Sequence, residues 1–496
     1  MNIFKDRFSE IKKASEPLYK SPKSVQETIE ILKISESGIF EVADGKYSKT
    51  YRFSDVNYAT RSEDEQESFF QRYCKCLNSF DCTFKITVNN KNKDMDALRN
   101  EVMLKYRNDG FDKMRESYNR IIEEKILEGR QGIEQERYLT ITIERKNFEE
   151  AKAQFATIEA SMFRSFAELG SKLTPLTGNE RLKILHDYYR LGREDEFNFD
   201  IRQGRITGTD FRNEICNTRI KYHPDHFEDE GKVGRVLFIK KYPTYLSDRF
   251  FTELTFLPVH SVTSVDVVPV PKDLTMKMLQ KKYLGIESDI IKQQRTRNRN
   301  NDFSSDISYA TRQKKKDIEE IMNNVRENDE SLYYVSVTMI VMADDRDELE
   351  SICETVDSIA KGAGCAVDTC MYKQREAVNT TLPIGVRQIE TMRTMLTQSL
   401  AVLMPFNVQE LCDRNGIYYG VNQISKNIIV GNRKKLLNGN GFIFGVSGAG
   451  KSFQAKMEMG SVLLSTDDNV IAVDPMNGAK RSYLKRVGAI FIKLYA

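Results

Sequence analysis

The sequence contains no apolar run that approaches the roughly 20 residues needed to cross a bilayer. Residues 1–7, MNIFKDR, also lack the apolar stretch of a secretory signal. These two absences argue against a membrane-spanning or a secreted protein. We expect a cytosolic protein, or one bound peripherally at the cytosolic face of the cell membrane.

Neither sign of charge dominates, because 75 basic side chains are balanced by 72 acidic ones and the formal net charge is +3. Composition therefore gives no general argument for binding to nucleic acid, and any contact with DNA or a membrane must be local. The eight cysteines lack the paired C-x-x-C spacing of a zinc ribbon. We interpret them as reduced thiols.

Histidine is scarce, with four residues in the chain. The segment from His223 to His226, HPDH, offers two imidazoles and a carboxylate to a metal ion, but its proline is typical of a turn. No further cluster of ligands lies close in sequence, so we favour a turn. Neither a G-x-S-x-G elbow nor an H-E-x-x-H helix occurs, which leaves hydrolases other than nucleotide hydrolases without support.

Short strand-like and helix-like segments fill residues 25–410, which predicts an α+β region after a tail of residues 1–24. Within this region, residues 271–328 form a long polar stretch compatible with helix. Its basic side chains could reach DNA or anionic lipid, but acidic residues are interleaved with them and stacking aromatics are few. We therefore interpret the stretch as a solvated helical hairpin and place no site in it.

A strand followed by a capped helix occurs twice in this region. Residues 138–144 alternate in the manner of a strand and precede a helix that Asn147 can cap. Residues 332–342 have the same character and precede a helix with Asp344 or Asp345 as its cap. The two units predict a duplicated split βαβ layout, although residue identity between them is low.

The clearest chemical signal is a glycine-rich segment late in the chain. Residues 445–452, GVSGAGKS, match the phosphate-binding pattern G-x-x-x-x-G-K-[ST]. They follow the apolar run 441–444, which we expect to be a buried strand, and precede a helix predicted from Phe453 to Leu464. This order of strand, loop and helix predicts a site for a nucleoside triphosphate.

Each position of the loop has a mechanical role. Gly445, Gly448 and Gly450 are expected to adopt backbone torsions closed to other residues, so that amide groups converge on the phosphates. The ammonium of Lys451, the catalytic candidate, would reach the β- and γ-phosphates at the positive end of a helix. Ser452 would bind Mg²⁺ through its hydroxyl oxygen. The residues expected to contact the nucleotide are Gly445, Val446, Ser447, Gly448, Ala449, Gly450, Lys451, Ser452 and Phe453.

Two short apolar segments, residues 470–474 and 488–495, follow the loop helix and have the profile of strands. The first could be a Walker B strand, but it comes only about 20 residues after the loop, which is the spacing of one α/β repeat. We therefore interpret them as the second and third strands of an α/β core. Residues 411–496 are expected to hold the start of a nucleotide-binding domain that is cut short before a Walker B acid.

Several of these segments resemble a known family. They comprise residues 416–430, Arg433, Leu436, Asn438, 445–453 and 470–475, with weaker similarity at 241–247 and 382–385. Together they resemble the conjugative-transfer and type IV secretion ATPases of the CagE, TrbE and VirB group, in the Gram-positive TraE-like branch equivalent to the fourth VirB component. The resemblance implies a RecA-like motor, working as an oligomer with other channel proteins, that powers pilus assembly or the transfer of DNA or protein.

The same resemblance implies that residues 445–452 bind ATP and Mg²⁺, and that Asp474 lies near the nucleotide. Members often carry a glutamate shortly after this position, whereas the chain has Asp474-Pro-Met-Asn-Gly478. No Walker B counterpart is present, so the sequence supports binding of ATP but not its hydrolysis by this chain. The alternatives are a DNA translocase of the FtsK or HerA type and a scaffold of the secretion machine that does not hydrolyse ATP.

Overall fold

The computed structural model of this chain describes residues 22, 24–92, 99–100, 102–128, 133–299, 309–327, 329–413, 416–422, 427–473 and 490–492. These residues form a mixed α/β structure with a large antiparallel sheet of 13 strands and, in the described ranges, 13 α-helices. The expected α+β character of the N-terminal region is therefore confirmed.

The strands are β1 Lys33–Ile34, β2 Ile39–Ala43, β3 Lys46–Phe53, β4 Thr83–Asn92, β5 Ile133–Glu144, β6 Leu173–Pro175, β7 Ile220–Tyr222, β8 Phe227–Asp229, β9 Lys232–Lys241, β10 Ser261–Val270, β11 Leu332–Ala343, β12 Ala366–Thr369, β13 Arg393–Leu396, β14 Ile417–Val421, β15 Ile428–Gly431, β16 Ile471–Val473 and β17 Ile490–Ile492. The helices are α1 Glu63–Asn78, α2 Asp112–Glu128, α3 Phe148–Leu169, α4 Gly178–Tyr189, α5 Ile201–Thr207, α6 Arg212–Ile215, α7 Arg249–Thr255, α8 Lys272–Arg299, α9 Tyr309–Glu327, α10 Arg346–Gly362, α11 Gln374–Thr381, α12 Thr397–Ala401 and α13 Lys451–Ser465.

The predicted duplication is present in the strand order. In the first unit, β3 to β6 with helices α1 and α3, the strands lie side by side in the order β6-β3-β5-β4. In the second unit, β9 to β12 with helices α7 and α10, the order is β12-β9-β11-β10. Both units therefore have the βαββαβ connectivity of a split βαβ fold, with the same strand positions.

The two units join through strand β4 of the first and β10 of the second, which pair antiparallel. Ile86 lies opposite Val265 in this pairing, and the hydroxyls of Thr87 and Ser264 are 2.7 Å apart. Because β4 and β10 hold the same position in their units, the junction relates the units by an approximate twofold rotation. One apolar cluster runs through both of them and includes Phe84, Ile86, Val265, Val267 and Val337.

Local sequence explains where the helices begin. Helix α3 begins after Asn147, whose side-chain oxygen accepts a hydrogen bond of 2.9 Å from the backbone of Glu150. Helix α10 begins after Asp345, which accepts from the backbone of Glu348 at 2.8 Å. Of the two caps predicted there, Asp345 is the correct one. A side-chain acceptor at this position satisfies a backbone amide that the first helical turn cannot pair.

Each unit carries a helical insertion between its second and third strands. The second insertion is the pair α8 and α9, joined by an ion pair of 3.0 Å between Lys315 and Glu287, so the helical hairpin predicted in this stretch is confirmed. The first insertion contains α2. Because β4 and β10 run antiparallel, the two insertions leave the sheet at opposite ends.

Substituting Ile86→Ala tests the junction. Ile86 is 5% exposed and packs in the shared core, so we expect the free energy of unfolding to fall by about 2–5 kcal/mol. Urea unfolding measures this. The matched control is Ile206→Ala, at a site that is 86% exposed, where a change within about 0.5 kcal/mol is expected. Independent unfolding of the two units, with only one of them affected by Ile86→Ala, would contradict a shared core.

His260 predicts a dependence of stability on pH. Its ring is buried, neither ring nitrogen has a hydrogen-bond partner among the described residues, and burial lowers its pKa to about 4. The unfolded imidazole gains a proton near pH 6.5 and the folded one only near pH 4, so stability is full above pH 6.5 and falls as the pH decreases between these values.

The loss attributable to His260 is about 3 kcal/mol by pH 4. We expect His260→Met, which cannot titrate, to flatten this part of the curve of unfolding free energy against pH, measured by urea unfolding from pH 4 to 8. An unchanged slope in the variant would show that His260 is not the titrating group.

Candidate nucleotide-binding site

The phosphate loop, residues 445–452, leads into helix α13 with two glycines in the left-handed region. Gly448 has φ +82° and Gly450 has φ +84°, conformations that other residues rarely adopt. These two torsions agree with the prediction. Gly445 does not have a positive φ, and its role differs from the expected one: a Cβ there would lie 3.3 Å from Ala449 Cβ and Lys451 Cγ. A larger residue at this position would therefore crowd the loop, and Ala449 or the Lys451 side chain would have to shift by a few tenths of an ångström.

Lys451 lies across the mouth of this loop. Its Nζ donates to the carbonyl oxygen of Gly445 at 2.6 Å and to that of Val446 at 2.7 Å. The ammonium is thereby held beside the backbone of the loop, at the first residue of helix α13. A positive charge is fixed where the loop and the helix amides meet.

The start of helix α13 is suited to an anion. Gly450 precedes it, and no side chain accepts from its first-turn amides in the described structure. Unpaired amides and the helix dipole together favour a negative group at such an end. Ser452 and Phe453 follow in the first turn, and both are exposed. The loop residues therefore fit a phosphate group and leave the Ser452 hydroxyl accessible to a cation.

The predicted buried strand at residues 441–444 is wrong. This segment pairs with no strand among the described residues, and Phe442 and Phe444 are 83% and 85% exposed with their rings stacked at 5.7 Å. An apolar run becomes a buried strand only if neighbouring strands bond to its backbone. The described strands nearby, β16 and β17, pair with each other instead.

Strands β16 and β17 lie within the two segments that were predicted to be strands. They pair in parallel, with Ile471 opposite Ile490 and Val473 opposite Ile492. Asp474, expected near the nucleotide, lies outside the described residues.

A polar network that the sequence did not indicate holds helix α13 against the hairpin of β14 and β15. Arg433 bonds to Glu458 of the helix at 2.7 Å, and its Nε donates to the Tyr419 hydroxyl at 3.1 Å. That hydroxyl donates in turn to Glu458 at 2.9 Å. Burial, with a smaller contribution from Glu458, raises the pKa of Tyr419, so the hydroxyl keeps its proton for this bond. The three groups fix the helix relative to the strand pair.

The far end of helix α13 is held by two arginines of the first insertion. Arg115 donates to the carbonyl of Leu464 at 3.2 Å, and Arg107 donates to that of Ser465 at 2.9 Å. Terminal carbonyls carry the negative end of the helix dipole, so guanidinium groups stabilise them. Arg107 also pairs with Asp467 at 2.6 Å. These contacts join residues about 350 positions apart in the chain.

Apolar contacts support the same docking. Ile122 and Ile126 of helix α2 pack against Ile428 and Val430 of strand β15. Leu464, near the end of α13, packs against Leu104, Phe111 and Met114 of the first insertion, with Met459, Leu463 and Val470 beside it. The first insertion is thus the platform on which the loop helix rests.

Substitution of Arg115 tests whether this platform holds helix α13. It is 1% exposed, and besides Leu464 it holds Asp109 and Asp112 at 2.6 and 2.7 Å. Arg115→Met leaves these groups without their cation, and we expect a loss of about 2–3 kcal/mol in the stability of the docked helix. Hydrogen exchange of the α13 amides and urea unfolding measure it.

The matched control for that substitution is Arg120→Met, on the same helix at an exposed position. It should change neither readout by more than about 0.5 kcal/mol. Equal exchange of the α13 amides in both variants would show that Arg115 does not anchor the helix.

Comparison with known proteins identified no relative of this chain. No family model matches the chain, and no curated protein matches it. Among the described residues, no helix combines the length and apolar character needed to cross a membrane. The function must therefore be argued from the geometry of the phosphate loop and from the sequence.

Proposed function

We propose that this chain is an ATP-binding component of a conjugative or type IV secretion motor, and that residues 445–452 bind ATP with Mg²⁺. The observation that carries the proposal is the placement of the Lys451 ammonium over the carbonyls of Gly445 and Val446, at the uncapped start of helix α13. Left-handed Gly448 and Gly450 shape the loop around it.

The proposed chemistry of binding follows from these groups. Phosphate oxygens would accept hydrogen bonds from the loop amides, and the Lys451 ammonium would exchange two carbonyl partners for the β- and γ-phosphates. A phosphate oxygen is charged and a carbonyl is not, so the exchange strengthens the hydrogen bonds that Lys451 makes. Ser452 would hold Mg²⁺, which bridges the same phosphates and offsets their charge.

The assignment to a secretion motor rests on the sequence resemblance, above all in residues 416–475. On that basis the nucleotide-binding core is RecA-like, and the chain works as an oligomer with channel proteins at the cytosolic face of the membrane, where it energises pilus assembly or the transfer of DNA or protein. The exposed loop is compatible with an oligomer, because a neighbouring subunit could approach the nucleotide there.

Lys451→Ala tests the nucleotide site. We expect its affinity for ATP in the presence of Mg²⁺ to fall about 10- to 100-fold, since a hydrogen bond to a charged group contributes about 1.5–3 kcal/mol. Titration calorimetry measures the affinity. Lys456→Ala is the matched control, because Lys456 is exposed on the same helix away from the loop, and it should bind ATP as the unsubstituted chain does.

Unchanged ATP binding in Lys451→Ala would overturn the loop assignment. Turnover measured on the same samples separates the motor from its alternatives. Hydrolysis stimulated by DNA would favour a translocase of the FtsK or HerA type, and binding without hydrolysis would favour a scaffold.

A further inference from the structure

Strands β7 and β8 form a hairpin whose turn contains two of the four histidines. The turn closes with a hydrogen bond of 2.8 Å from His223 N to His226 O, and the two imidazole rings stack at 4.4 Å with an angle of 10° between them. Glu228 lies in strand β8, two positions after His226. The hairpin thus brings together three side chains that bind metal ions.

The ligand atoms of this group lie close together. The ligand atoms of His223, His226 and Glu228 all lie within 4.8 Å of one another. His223 Nε2 and Glu228 Oε1 are 3.2 Å apart, close to the roughly 3.3 Å that separates two ligands on a zinc ion with bonds of about 2.0–2.1 Å. The two imidazole rings are stacked nearly parallel, and each nitrogen lone pair lies in the plane of its ring, so one ring must turn out of the stack for both to bind one ion.

His223 Nε2 is buried beside the Glu228 carboxylate. An imidazole nitrogen and a carboxylate this close together can bind the same cation. A metal ion would satisfy the nitrogen and the carboxylate together.

Asp225 supplies the support that metal-bound imidazoles usually have. Its Oδ1 lies 2.8 Å from His226 Nδ1, which leaves Nε2 of that ring to face a metal. Its Oδ2 accepts from Arg235 at 3.3 Å and from Arg346 at 3.2 Å. Because Arg235 is itself held by both oxygens of Glu350, the carboxylate that orients His226 is fixed from two sides.

We propose that His223, His226 and Glu228 bind one Zn²⁺ ion, with water as the fourth ligand and Asp225 as the residue that positions His226. Two imidazoles and one carboxylate are a ligand set that zinc accepts with a position left open. The ion would fix the turn at this edge of the large sheet. The site lies in the N-terminal region, separate in sequence from the phosphate loop.

Substitution of Lys221 serves as a control, because its expected effect on zinc affinity is opposite to that of removing a ligand. Its ammonium lies 3.4 Å from Glu228 Oε2 and competes with a cation for the carboxylate. Removing it by Lys221→Ala should leave zinc affinity equal or raise it. Removing a ligand should lower the affinity.

The experiment uses the untagged full chain, titrated with Zn²⁺ against a chromophoric chelator. We expect one site per chain, and a loss of affinity of at least about 10-fold in each of His223→Gln, His226→Gln and Glu228→Gln, with Asp225→Asn weaker by about 10- to 100-fold. Glu354→Gln, an exposed acid on helix α10, is the matched control and should bind as the unsubstituted chain does. Co²⁺ in place of Zn²⁺ should give the strong visible absorption of tetrahedral coordination.

Circular dichroism of each variant shows whether it is folded, and Lys221→Ala tests the site without removing a ligand. Absence of saturable zinc binding would overturn the proposal. So would unchanged binding in the His223→Gln, His226→Gln double variant, since the ion would then be held elsewhere, for instance by thiols. Neither outcome bears on ATP binding, which Lys451→Ala tests separately.

Discussion

The antiparallel pairing of β4 with β10 is the contact on which the N-terminal region depends. It joins two βαββαβ units into one sheet with a shared apolar core, and it relates the two units by an approximate twofold rotation. Because the pairing is antiparallel, the helical insertions that follow β4 and β10 leave the sheet at opposite ends. The loop helix rests on the first of these, through Met114 of α2, Arg107 and Arg115.

Helix α13 connects that platform to the proposed nucleotide site. It contains 15 residues and is therefore about 22 Å long. Its C-terminal carbonyls are bound by guanidinium groups, its middle is bound to Arg433 through Glu458, and its N-terminus carries Lys451 beside the exposed loop. The C-terminus and the middle of the helix are thus fixed by protein groups. The N-terminus offers backbone amides and the Lys451 ammonium to an anion.

Local features were predictable from the sequence, and contacts between distant segments were not. The caps at Asn147 and Asp345, the alternating strands and the left-handed glycines depend on a few neighbouring residues, so a pattern suffices to predict them. The apolar run at 441–444 was predicted to be a buried strand because its partners had to be assumed. The bond from Arg115 to Leu464 joins positions 349 apart, and nothing in either segment indicates the other. Glu228 was overlooked as a neighbour of His223 because only the hairpin register shows that their side chains meet.

The measurement that tests the central claim most directly is hydrogen exchange of the full chain with and without ATP and Mg²⁺. Binding at the phosphate loop should slow exchange of the backbone amides in residues 445–454, since these amides would bond to phosphate. Exchange in the large sheet should not change. Unaltered exchange in the loop at saturating ATP, or protection confined to another part of the chain, would contradict the account.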